Sequence, residues 1–91
     1  MHISDIIVLI DEQLRNEPRV RDFVNELGTA TGQWSRGNDS AEVEPSTSTG
    51  VKLKLASSGV VIHERIYAAS DMSVPRIVRS ITEHLTGYAA W

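Results

Sequence analysis

The chain reads as an α+β domain in which helices cover one face of a three-stranded antiparallel sheet. Three observations lead there. Val51-Lys52-Leu53-Lys54-Leu55 alternates apolar and basic residues, as a half-buried strand does. An Ala56-Ser57-Ser58-Gly59 turn then leads into a β-branched and aromatic stretch from Val60 to Ala68. Finally, Val74, Ile77, Val78, Ile81 and Leu85 repeat at helical spacing. With the earlier segments included, the expected order is α-α-β-β-β-α, or β-α-β-β-β-α if the first segment is extended.

Taken in order, Ser4 is a candidate N-cap, its hydroxyl accepting from an orphan amide, and Asp5 suits the positive end of a helix dipole. Ile7, Ile10 and Leu14 form one helical stripe. Ile6 and Val8 fall outside it, which keeps a strand through 3–10 open. Pro18 interrupts the pattern. Val20, Phe23, Val24 and Leu27, spaced i, i+3, i+4, i+7 and followed by Gly28, then predict a second helix over 17–27. Residues 32–36 predict a short strand centred on Trp34. Residues 37–50, rich in Ser, Thr, Gly and acids with Pro45 among them, predict a long mobile loop.

For the hairpin, a two-residue turn places Val51, Leu53, Leu55, Val60, Ile62 and Ile66 on one face. Lys52, Lys54, Val61, His63, Arg65 and Tyr67 take the other. Glu64 then falls on the apolar face, where a charge has no ready place. Ser73 caps the last helix, with Val74-Pro75 in its first turn, and Arg76, Arg79, Ser80 and Glu83 lie opposite its apolar stripe. Gly87 ends the helix. Trp91 either packs back on the core or offers an apolar contact to another molecule.

Length and composition bound the function. A chain of 91 residues, 41% hydrophobic, is the size of one thin-cored domain, here 1–91. The formal charge of −3 runs against a general phosphate binder. With no cysteine, thiolate metal sites, redox motifs and cysteine nucleophiles are excluded. The run Ile6 to Ile10 is far short of the ~20 residues of a membrane span, and its acidic flanks do not suit a secretory signal, so a cytoplasmic location is expected.

Templates for chemistry fail in turn. His2, His63 and His84 have no second ligand at metal-binding spacing. No serine lies in G-x-S-x-G, and neither phosphate-loop pattern occurs. No catalytic residue, metal or cofactor is expected. The one patch that invites a role comprises Lys52, Lys54, His63 and Arg65 with Tyr67 on the polar hairpin face, a candidate single-strand nucleic-acid platform or simply a wet sheet face.

The stretch Gly50 to Leu55, then Gly59-Val60-Val61-Ile62, Ile66-Tyr67 and Ser73-Val74-Pro75-Arg76-Ile77-Val78, resembles the second half of the alkaline shock protein family. Ile3-Ser4-Asp5-Ile6-Ile7 and Glu17-Pro18-Arg19-Val20 resemble that family's first helix and the step after it. Arg19 replaces the family's usual glycine, and Ala69-Ser70-Asp71 lacks its tyrosine-glycine. The resemblance implies a small non-enzymatic bacterial protein of the envelope-stress type, which self-associates or binds a protein partner and is recruited to the membrane through it. The expected interaction surface is Lys52, Lys54, His63, Glu64, Arg65, Tyr67 and Trp91. The alternative is a single-stranded nucleic-acid module using the basic hairpin face.

Overall fold

The computed structural model describes residues 2–20, 22–46, 50–68 and 72–87. Helix α1 (Ile3–Arg15) is followed by five strands, β1 (Val24–Leu27), β2 (Gly32–Arg36), β3 (Asp39–Pro45), β4 (Val51–Ser57) and β5 (Val60–Tyr67), and by helix α2 (Val74–Leu85). The strands form one antiparallel meander in the order β1-β2-β3-β4-β5, so β1 and β5 are its edges. The class is α+β, but the sheet has five strands rather than three, and the order is α-β-β-β-β-β-α.

Two segments account for the difference. The expected helix over 17–27 does not form. Glu17 N–H bonds back to Leu14, and Val20 N–H to Glu17, in tight turns after α1. These turns drop Val20 into the core, and Asp22 then adopts φ 59°, a left-handed conformation that no α-helix accommodates. Val24 and Leu27 stay exposed, at 67% and 44%, so their helical spacing with Val20 carried no burial. The second segment is 39–45, expected within a loop, which forms β3. Ala41 and Val43 face inward while Glu42 and Glu44 face outward. Its period of two rests on only two small apolar residues, a weak signal within a polar composition.

The segment through 3–10 is helical. It starts at Ile3 with His2 at the N-cap position and no side-chain cap, so Ser4 lies inside the helix. Ile6, Ile7, Ile10 and Leu14 bury one face, and Val8 looks outward. At α2 the expected cap holds: Ser73 Oγ accepts from Arg76 N–H at 3.4 Å, and Pro75 sits in the first turn, where a missing amide costs nothing. Gly87 follows this helix with φ 80°. The C-terminal carbonyls of α2 find partners as well. Arg36 Nη1 donates to Leu85 O at 3.0 Å, and Thr86 Oγ1 donates to Thr82 O at 2.7 Å.

The core lies between the helices and the inner face of the sheet. Trp34, Ala41, Val43, Val51, Leu53, Leu55 and Tyr67 from the strands meet Ile7, Ile10 and Leu14 of α1 and Ile77, Ile81 and Leu85 of α2. Trp34 is wholly buried. Its indole Nε1 donates at 3.0 Å to Asp11 Oδ1, which also accepts from Asn25 Nδ2 at 2.7 Å, while Asp11 Oδ2 takes Arg15 Nε at 2.8 Å. One carboxylate therefore ties α1 to β1 and β2, the buried-network arrangement in which every polar group has a partner. At the other end, the buried His84 donates from Nε2 to Ala56 O at 2.8 Å, tying α2 to β4.

Candidate interaction surface

The β4–β5 hairpin decides what the surface presents. Its turn, Ser58-Gly59, has φ of 52° and 81°, the pair of positive angles that suits the strand twist of a two-residue hairpin. Ser57 then pairs with Val60 and Ala56 with Val61, the register that this turn sets. Beyond these pairs the register shifts: Leu55 pairs with His63, Leu53 with Arg65 and Val51 with Tyr67, leaving Ile62 as the extra residue of a β-bulge. One added residue exchanges the faces of everything after it.

The expected face assignment is thus inverted from residue 63 onward. Tyr67, expected outside, is buried at 2% beside Val51, and Ile66, expected inside, is 56% exposed. Glu64 moves to the outer face, directly across from Lys54. The bulge has a clear physical return, because it keeps a carboxylate out of an apolar core.

The outer face of the sheet carries a ladder of opposite charges. Glu42 pairs across to Lys54, Glu44 to Lys52 and Lys54 to Glu64. Lys54 Nζ lies 2.9 Å from Glu44 Oε1 and 3.9 Å from Glu42 Oε1. Its hydrogen bond to Glu44, helped by the field of Glu44, Glu42 and Glu64, holds the ammonium pKa above its ordinary value. Three carboxylates surround two ammonium groups, so this face is not basic.

The inner side of the β5 edge has different chemistry. Arg65 extends over the Tyr67 ring, its guanidinium carbon 4.9 Å from the ring centroid. Facing it across a shallow groove is the outward stripe of α2. Arg76, Arg79, Ser80 and Glu83, at i, i+3, i+4 and i+7, line that groove with Arg65 and Tyr67. Arg79 Nε bonds Glu83 Oε1 at 3.0 Å. Among the described residues, neither Arg65 nor Arg76 forms an ion pair. The groove exists because α2 packs over β3 and β4, leaving the inner side of β5 largely open.

The residues expected to form one interaction surface are therefore divided. Lys52, Lys54 and Glu64 lie on the outer face, while His63, Arg65 and Tyr67 lie on the inner one; Trp91 lies outside the described residues. The expected basic patch of Lys52, Lys54, His63, Arg65 and Tyr67 is not assembled on a single face. Sequence reasoning missed the joining of Arg76 and Arg79 to Arg65. The helical spacing of the two arginines was visible, but the strand face they meet depended on the bulge. It also missed the exposed apolar edge formed by Val60, Val61, Ile62 and Ile66, exposed at 64%, 49%, 50% and 56%.

Among the described residues, no group of three or more His, Asp or Glu side chains is placed to hold a metal ion. No helix among them is long and apolar enough to cross a membrane. No family model matches the chain, and no curated protein or solved structure matches it significantly.

Proposed function

We propose that the protein is a non-catalytic interaction module that binds a partner protein along the free edge of β5. The observation carrying this reading is the edge itself. β5 is eight residues long and, among the described residues, pairs on one side only, with β4. It exposes four β-branched apolar residues, whereas the opposite edge strand, β1, has four residues in all. An unpaired strand presents a row of backbone donors and acceptors that a second extended chain completes, and isolated proteins usually blunt such edges or cover them.

Two further features agree with this reading. The buried titratable groups serve structure: Asp11 is held by Trp34, Asn25 and Arg15, and His84 by Ala56 O. The resemblance of residues 50–86 to alkaline-shock-type proteins also favours a binding role, with action in the cytoplasm and recruitment to the membrane by the partner. The nucleic-acid alternative draws less support, because Lys52 and Lys54 sit among Glu42, Glu44 and Glu64.

The test is a comparative capture experiment in the native host. Tagged protein and its Ile62→Lys/Ile66→Lys variant are used as baits, with folding checked by circular dichroism. The reading expects specific partners, or further copies of the chain, that are retained by the parent and lost by the variant. Identical captures by two equally folded baits would refute it.

A further inference from the structure

Resting on that reading, we infer that the partner of the β5 edge is an extended peptide segment whose alternate residues are acidic. Residues 63–67, beyond the bulge, are the regular part of the edge, since Ile62 breaks the ladder. A strand added beside them directs successive side chains to opposite faces. On the outer side they meet Ile66, exposed and apolar, and Glu64, which stands across from Lys54 in the register. On the inner side they meet Arg65 and, across the groove, Arg76 and Arg79. Three of the chain's nine Lys and Arg residues converge there, in a protein with a net charge of −3, with Glu83 the one carboxylate of the lining among the described residues. Arginine's planar fork suits carboxylates, and the Tyr67 ring holds the Arg65 guanidinium in place on the groove side. The fitting segment therefore carries Glu or Asp at every second position and β-branched apolar residues between them.

Charge also separates this occupant from a second copy of the chain. In an antiparallel β5–β5 pairing that continues the sheet, inner-facing residues oppose inner-facing residues. His63 and Arg65 of one copy would then come against the Arg65, Arg76 and Arg79 of the other. That arrangement gathers like charge, whereas an acidic strand neutralises it.

The experiment uses the full chain and two fluorescently labelled, end-blocked nonapeptides, one alternating Glu with Val and the other alternating Gln with Val. Binding is followed by anisotropy at low and high salt. The Glu peptide is expected to bind about tenfold more tightly than the Gln peptide, the effect of two or so exposed ion pairs, and to lose that advantage at high salt. Arg65→Gln/Arg76→Gln/Arg79→Gln, at exposed positions, is expected to abolish the preference without altering the circular dichroism spectrum. Ile66→Lys is expected to weaken both peptides. Equal binding of the two peptides, or a preference untouched by the arginine substitutions, overturns the acidic specificity. If the Ile62→Lys/Ile66→Lys bait still loses its partners in that case, the edge reading survives. Binding of neither peptide, tighter arginine-dependent binding of a short single-stranded RNA, or dimerisation through β5 overturns the inference as well.

Discussion

Asp11→Ala removes one side chain from α1 and leaves three groups without their acceptor. Trp34 Nε1 is the costly one, because Trp34 is wholly buried and no solvent replaces the lost bond. An orphaned buried donor costs about 1–3 kcal/mol. The bond from Asn25, part-buried, is worth about 0.5–1.5 kcal/mol. The Arg15 pair contributes less than about 1 kcal/mol, since the Arg15 side chain is 63% exposed. The sum is about 1.5–5.5 kcal/mol, a large share of the roughly 5–15 kcal/mol that holds a small domain together. Urea unfolding followed by circular dichroism reads this directly. With a slope of about 1–1.5 kcal/mol/M, the midpoint falls by about 1 M or more while the slope stays constant. Trp34→Phe supplies the check on mechanism. In that background the donor is already gone, so Asp11→Ala costs at least about 1 kcal/mol less than in the parent. A loss below about 0.5 kcal/mol, or strict additivity of the two substitutions, would refute the view that this carboxylate joins α1 to the first two strands.

Four other outcomes follow from particular contacts. Tyr67→Ala should cost about 3 kcal/mol or more, and Ile66→Thr no more than about 0.5 kcal/mol, in chemical denaturation; the reverse order would remove the bulge from the account. Gly32→Ala would set a methyl group 2.6 Å from Trp34 Cη2 and 2.9 Å from Ile7 Cγ2, so it should destabilise by about 1–3 kcal/mol in the same assay. Ser58→Asn, at φ 52° in the hairpin turn, should stabilise by up to about 0.5 kcal/mol, read as a raised melting temperature. The side chain and backbone N–H of Arg19 hold the Glu17 carboxyl below its ordinary value of 4.5, so its contribution is present above that pH and lost as the pH falls through the lowered value. Carboxyl titration by NMR should show the depression, and Arg19→Ala should remove it.

How far the fold can be read from the chain depends on where apolar residues carry the period. β4 and α2 were legible because Val51, Leu53 and Leu55, and Ile77, Val78, Ile81 and Leu85, repeat their periods over several positions and are all buried. Trp34, large and wholly buried, marked β2. β3 was not, because Ala41 and Val43 are small and their neighbours are charged, so composition spoke for a loop. At 20–27, apolar residues on a helical spacing served a turn and a strand instead, and tertiary pairing with β2 overrode the local pattern. The surface was legible in composition but not in arrangement. Glu64 on an otherwise apolar face was the single residue that signalled the bulge, since a carboxylate among core residues demands a change of register. Once that shift is made, Arg65 turns toward Arg76 and Arg79, and Glu64 comes to stand across from Lys54.

The claim that matters most is that the edge of β5 is the docking rail. Amide hydrogen exchange of the full chain, residue by residue, with and without the Glu-Val peptide, tests it most directly. In the free protein, the amides of residues 63–67 that do not bond to β4 are expected to exchange rapidly. With peptide bound they should become protected, while those of β1 keep their rates. Protection appearing at β1, or an unchanged β5 when the peptide is saturating, would contradict the account.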